Sequence, residues 1–155
     1  MAVVSPIAQG GDRLLISTFY VSGTTYGLDT DVVREVIKVG NWTKVHGAAE
    51  YIKGISNLRG RIVTIIDLGQ RLNLSCSEIT SESRIFIVEW RNEYVGLLVD
   101  AVSDVVVVDV GKLMPPPSNV GQIQGKYFKG ICQSNEGLIA IMNIDEVLRL
   151  DEDRS

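Results

Sequence analysis

One segment of this chain is written twice, and the repetition constrains the fold more than any other feature. Tyr51-Ile52-Lys53-Gly54-Ile55 returns 76 positions later as Tyr127-Phe128-Lys129-Gly130-Ile131. Without a gap, the same shift lays Ile62-Val63-Thr64-Ile65-Ile66 over Leu138-Ile139-Ala140-Ile141-Met142 and Leu72 over Leu148. Upstream, Tyr26-Gly27-Leu28-Asp29 is echoed by Tyr94-Val95-Gly96-Leu97-Leu98-Val99-Asp100. Two copies are too few for a solenoid, so the pattern predicts two similar small β units in one body. The copies differ at one place that matters: Leu58-Arg59-Gly60 in the first becomes Ser134-Asn135-Glu136 in the second.

The first copy reads as a helical turn, two strands hinged at Asn57-Leu58-Arg59-Gly60, and a strand ending at Asp67 before another turn of helix. From Ile62 to Ile66 every residue is β-branched, the composition of a well-covered strand. Gly60 supplies backbone angles that other residues avoid, so Arg59 stands at a sharp bend, where a guanidinium is better placed for a partner than for a core. Strands are also expected at Leu14–Val21, Tyr26–Leu28, Glu35–Val39, Arg84–Trp90, Tyr94–Val99 and Val102–Val110, with Asp29 or Thr30 capping a short turn. Asp67 and Asp145 read as helix caps rather than metal ligands, and a short helix is expected to close the chain from Glu146 to Leu150. Pro115-Pro116-Pro117 cannot donate ladder hydrogen bonds and reads as a surface loop. The polar stretch from Leu74 to Ser83 reads as the junction of the halves. No segment carries the long 3.6-residue apolar period of a substantial helix, and turn signals every eight to twelve residues point to barrels or sandwiches.

With 155 residues of which 45% are apolar, the chain can bury a core without disulfides or metal. A net charge of -4 leaves no basic stripe for nucleic acid. Cys76 and Cys132 are far apart and in no ligand-like spacing; they read as a reduced pair, with a disulfide or a redox role as alternatives. The N-terminal stretch lacks the basic start and apolar core of a secretory signal, and the run from Val105 to Val108 is far too short to span a membrane, so a cytoplasmic protein is expected. His46 is the single histidine, and none of the common nucleophile, phosphate-loop or zinc motifs occurs. Catalysis is therefore not expected, and no cofactor or metal is assigned. Glu35 and Arg59 either face each other as a surface ion pair that orients the guanidinium, or stand as two separate solvated charges.

Taken in order, Tyr26-Gly27-Leu28-Asp29, Val33-x-Glu35-Val36, Tyr51-Ile52-Lys53-Gly54-Ile55-x-Asn57-Leu58-Arg59-Gly60, Ile65-Ile66-Asp67-Leu68 and Val95-Gly96-Leu97-Leu98-Val99-Asp100-x-Val102 resemble the CheW family of chemotaxis coupling proteins, over roughly Leu14 to Leu150. The resemblance implies an all-β fold: two SH3-like five-stranded β-barrel subdomains around a shared core, with short helical turns and a short C-terminal helix. It places a CheW-like domain at 13–150, with repeat halves about 14–75 and 84–150 as the two subdomains, between tails at 1–12 and 151–155. It implies a non-catalytic adaptor linking the cytoplasmic tips of methyl-accepting chemoreceptors to the regulatory domain of the histidine kinase CheA, recruited to membrane-associated receptor arrays without inserting into the membrane, and able to self-associate in rings. Carried over residue by residue, it makes Val33, Glu35, Gly54, Arg59, Gly60 and Val102 the receptor-binding set, with Val33 and Val102 lining a groove between subdomains; it assigns no kinase-binding residue. Thr30 occupies a groove position that is often apolar in relatives. Two other readings stand beside it: an adaptor of a chemosensory system that does not control swimming, and a small β barrel binding an anionic ligand near Arg59.

Overall fold

The structure, a computed structural model, describes residues 12–135 and 137–149; the expected tails at 1–12 (all but its last residue) and 151–155, and the last residue of the expected closing helix, Leu150, lie outside the described residues. Among the described residues, twelve strands and two single-turn α-helices follow one another as β1 (Arg13–Val21), β2 (Thr24–Asp29), β3 (Val33–Lys38), β4 (Ile52–Leu58), β5 (Arg61–Asp67), α1 (Leu68–Arg71), β6 (Arg84–Trp90), β7 (Glu93–Val99), β8 (Ala101–Asp109), β9 (Asn119–Val120), β10 (Ile123–Gln124), β11 (Phe128–Ser134), β12 (Gly137–Met142) and α2 (Ile144–Val147). Ten of the strands form two five-stranded sheets, ordered β11-β12-β2-β1-β8 and β3-β6-β7-β5-β4. The all-β architecture of paired five-stranded units is as expected.

The boundary between the units is not. Residues 14–75 do not close one sheet and 84–150 the other, because each sheet takes strands from both halves. The β1–β2 hairpin receives β8, β11 and β12 from the second half, while the β6–β7 hairpin receives β3, β4 and β5 from the first. The cause is local. Asp29 Oδ1 accepts the Asp31 amide at 3.0 Å and caps a turn at Thr30–Val32, which sends the chain away from its own hairpin to pair with β6. That turn ends at Val32, so β3 begins at Val33, two residues earlier than expected.

Exchange of strands makes one core out of what would be two. Phe86 and Val88 on β6 face a shared interior with Phe19, Val21, Tyr26, Leu28, Leu97 and Met142, and the Phe19 and Phe86 rings meet across the sheets at 5.1 Å. On the opposite face of the same strand, Ile85 and Ile87 join Val63, Ile65 and Leu98 in the second sheet's own small core. The first sheet's counterpart holds Ile16, Val108, Cys132, Ile139 and Ile141. Successive side chains of a strand point to opposite faces, so strands buried on both sides read as unbroken apolar runs. Gly27 and Gly96 face these small cores where a Cβ would collide with an isoleucine, Ile16 for the first and Ile85 at 2.7 Å for the second. The shared Gly-Leu of the two echoes marks that crowded face.

The 76-residue repeat is also a structural one. β4 and β11 share the shift, as do α1 and α2. Each hairpin has a one-residue bulge at the same place, between Ile52 and Gly54 and between Phe128 and Gly130. Asp67 and Asn143 cap the two helices, and their amides donate to the Tyr51 and Tyr127 carbonyls, both at 2.8 Å. Asp145 is therefore not the cap expected of it; its Oδ1 accepts the Trp90 Nε1 proton at 2.8 Å. The short β9–β10 hairpin beyond the prolines carried no sequence signal.

Candidate functional site

Arg59 and Gly60 form the two-residue turn between β4 and β5, closed by the Leu58–Arg61 pair. Both have positive φ, 50° and 86°, as a type I′ hairpin turn requires. The sequence marked only the glycine as unusual, whereas Arg59 itself adopts the left-handed conformation. Asn57 Oδ1 accepts the Gly60 amide at 2.8 Å and fixes the turn from within. The Arg59 side chain thus projects from a rigid base, with 66% of its surface exposed.

Glu35, at one-third exposure, receives it. Arg59 Nη1 donates to Glu35 Oε1 at 3.0 Å and Nη2 donates to Oε2, the two-pronged geometry that orients a guanidinium. Of the two readings open from the sequence, the ion pair is the one realised. The hydrogen bond from Arg59, together with its charge, holds the Glu35 carboxyl below its ordinary value of 4.5. β3 and β4 are opposite edges of the second sheet, and Ile37 and Leu58 from these edges pack on the same small core. The ion pair therefore joins two edges of one rolled sheet. As an exposed pair it adds little to stability, but it decides where the charge points.

Val33 and Val102 lie on different sheets at equivalent places. Val33 pairs with Val88 and Val102 with Phe19, and in both ladders the next step of register contains a bulge. Val33 is half-buried and packs on the shared core, so it offers less surface than expected; Val102 is 39% exposed. Gly54 is buried: its φ is 155°, and a Cβ there would run into the Thr43 carbonyl, from the segment bridged to Ile55. It shapes the hairpin from beneath and presents no surface of its own. Gly60 is exposed in the turn beside Arg59. The structure thus brings Glu35, Arg59 and Gly60 together and leaves Gly54 apart from them, against Thr43 at the far end of the hairpin. Thr30 is half-buried at the start of the turn that leads to Val33.

The sequence reading missed Arg71. It ends α1 at 5% exposure, donating from Nε to the Val147 carbonyl at 2.7 Å and from Nη1 to the Tyr127 hydroxyl at 3.3 Å. A signal was there: the shift that aligns apolar residues elsewhere puts Arg71 over Val147. Of the two cysteines, Cys132 is buried and Cys76 exposed, and both are free thiols. Among the described residues no group of three or more His, Cys, Asp or Glu could hold a metal ion, and no helix is long and apolar enough to cross a membrane.

Comparison with known proteins gives this arrangement a family. The chain is 32% identical over 145 residues to the chemotaxis protein CheW of Bacillus subtilis, covering 94% of this chain and 92% of that protein, and 28% identical to CheW of Rhizobium meliloti, covering 94% and 93%. It is 24% identical to protein FrzA of Myxococcus xanthus, covering 88% and 86%. Its fold matches the crystal structure of the scaffolding protein TtCheW from Thermoanaerobacter tengcongensis with a TM-score of 0.83 and 34% identity, covering 90% of this chain and 95% of that one. The two five-stranded sheets are the two SH3-like β subdomains of that architecture. A CheW-like domain model matches residues 16–152, and the chain belongs to the CheW-like family.

Proposed function

We propose that this protein is a non-catalytic chemosensory adaptor that couples the cytoplasmic tips of chemoreceptors to the regulatory domain of the histidine kinase CheA. Family membership supports the class of protein, and one observation carries the site: Arg59, held by a type I′ turn and a two-pronged bond to Glu35, yet two-thirds exposed. A charge fixed in direction but open to solvent is suited to reading a protein surface. Val33 and Val102 supply the apolar part of the receptor site, Glu35 and Arg59 its register, Gly60 the turn, and Gly54 the bend by which the far end of the same hairpin meets Thr43. Signal passes as a population shift, because the adaptor binds the receptor and kinase states unequally and adds no chemical step. Such an adaptor works in the cytoplasm, at the receptor array.

The test separates coupling from folding. Arg59→Ala is expected to keep the wild-type melting temperature and spectrum, since it truncates an exposed group, and to abolish receptor control of the kinase in an array reconstituted from receptor, kinase and adaptor. Receptor control retained by Arg59→Ala overturns the assignment. The similarity to FrzA, which is not named for chemotaxis, favours a second reading as the adaptor of another chemosensory system, and capture of that system's kinase in preference to a chemotaxis CheA would establish it. The anionic-ligand reading loses its ground, because Arg59 is exposed and already engaged by a carboxylate rather than turned into a polar cavity.

A further inference from the structure

We propose that Arg71 is a positioning residue: a buried staple on the pseudo-two-fold axis between the repeat copies, which sets the angle between the two sheets and through it the shape of the partner groove. The link to the groove rests on the functional reading above.

The geometry singles this side chain out. Arg71 reaches across the interface to the end of α2, donating to the Val147 carbonyl at 2.7 Å and the Glu146 carbonyl at 3.4 Å. Those carbonyls carry the negative end of a helical turn, which suits a cation. Its guanidinium carbon lies 5.2 Å from the Tyr51 ring and 5.2 Å from the Tyr127 ring. Tyr51 and Tyr127 are each other's counterparts under the repeat, and so are Arg71 and Val147. The guanidinium therefore sits between equivalent tyrosines and binds the backbone of its own counterpart, which places it at the axis relating the copies. Only one such group fits there, since a second guanidinium would repel the first. Val147 in the other copy completes the pair.

Stability alone does not account for the choice. Val147, 0% exposed at the equivalent position, shows that an apolar side chain packs there, and burying a cation carries a desolvation cost that a valine avoids. What the guanidinium adds is direction. Apolar packing is tolerant of orientation, whereas planar donors aimed at two carbonyls and a hydroxyl are not. The direction is transmitted through continuous hydrogen-bonded structure. α1 follows β5, which pairs with β7, and α2 follows β12, which pairs with β2. Beyond β7 and β2 lie β6 and β1, whose outer neighbours β3 and β8 carry Val33 and Val102. An angle set at Arg71 is therefore felt at the two valines.

The experiment uses the full chain with Arg71→Met and Arg71→Lys. Residual dipolar couplings of the backbone amides give the angle between the sheets, and a titration with a receptor-tip fragment, followed on the Val33 and Val102 methyls, gives the binding. Arg71→Met is expected to unfold cooperatively while its couplings no longer fit the wild-type arrangement, and to bind the fragment about tenfold more weakly. Arg71→Lys, which keeps the charge without the planar fork, is expected to fall between the two. A wild-type angle and affinity in Arg71→Met, with only a lower melting temperature, overturns the proposal. If Arg71→Met does not fold, Arg71→Lys decides, and a wild-type angle in it overturns the proposal likewise. A changed angle with unchanged affinity keeps the staple and sinks the groove as the receptor site, so the two failures are told apart.

Discussion

The β4–β5 and β11–β12 hairpins are the same device built twice, and they diverge at the positions that face outward or meet each other. Both carry a bulged lysine, Lys53 and Lys129, a capped single-turn helix, and a tyrosine whose carbonyl binds the cap residue's amide. The first adds Arg59 in its turn, where the second has Asn135, and Arg71 in its helix, where the second has Val147. Across the sheets, Glu35 on β3 has Asp104 as its equivalent on β8, since both lie two residues beyond the paired valine. In the first copy the carboxylate clasps the turn arginine; in the second, the Thr18 hydroxyl donates to the Asp104 backbone carbonyl. What the copies share makes the fold, and what they do not share is where the proposed adaptor role is placed.

The largest effect expected from breaking this symmetry falls on a pair that looks conservative. Gly54→Ala forces a Cβ onto the Thr43 carbonyl at a positive φ, and should cost about 3 kcal/mol or more. The equivalent Gly130→Ala meets its nearest neighbours, a Leu113 methyl and the Met114 carbonyl, at 3.4 Å, and should cost about 1 kcal/mol or less. Denaturant midpoints of the two variants measure the difference. Equal losses would show that the crossing segment at Thr43 yields as easily as the one at Met114, and that Gly54 is not held where the structure holds it.

A smaller contrast is expected at the caps. Asp67 is fully buried and serves more than α1: it accepts the Gln70 amide at 3.3 Å, the Ser77 amide at 2.9 Å and the Ser77 hydroxyl at 3.1 Å, while the Cys76 thiol approaches at 3.4 Å. It ties the start of the junction loop to the end of β5. The Asn143 side chain, half-buried, makes the cap bond to the Glu146 amide at 3.4 Å and no other among the described residues. Asp67→Ala should cost about 2–3 kcal/mol and expose the junction to protease, and Asn143→Ala about 1 kcal/mol. Limited proteolysis between Leu74 and Ser83 checks the first, and thermal melts check both.

The strands were legible because apolar, β-rich runs are bounded by turn signals: residues from Arg84 to Trp90 read as one strand and are one. Their assignment to sheets was not legible. Phe86 and Ile87 are equally apolar, and nothing in the run says that one faces a core shared with the first half while the other faces a private one. Register fixes faces, but which hairpin receives β3 depends on the Asp29-capped turn, a three-residue element whose exit direction no propensity encodes. At the site, Arg59 and Glu35 could be singled out as charges at a hinge and a strand start, yet their pairing spans two edges that meet only once the sheet rolls up. Arg71 was hidden for the opposite reason. A lone arginine after a short apolar turn looks solvated, and only the alignment of the two copies shows that it falls where a buried valine belongs.

The smallest expected effect concerns the clasp, and it is seen in protonation rather than in stability. Because Arg59 donates to both Glu35 oxygens, the carboxyl is held below its ordinary 4.5, and a carbon-detected NMR titration should find its midpoint there. The sign follows from linkage: a carboxyl with a lowered folded value stabilises the protein above the unfolded value, and that contribution is lost as pH falls through the folded one. At neutral pH the clasp is therefore intact, and only acid opens it. Arg59→Ala should return the Glu35 midpoint toward 4.5, while Asn135→Ala, the same truncation in the copy without a clasp, should leave Glu35 where it was. A Glu35 midpoint indifferent to Arg59→Ala would mean that the guanidinium is not held in solution, and the distinction drawn between the two hairpins would reduce to composition.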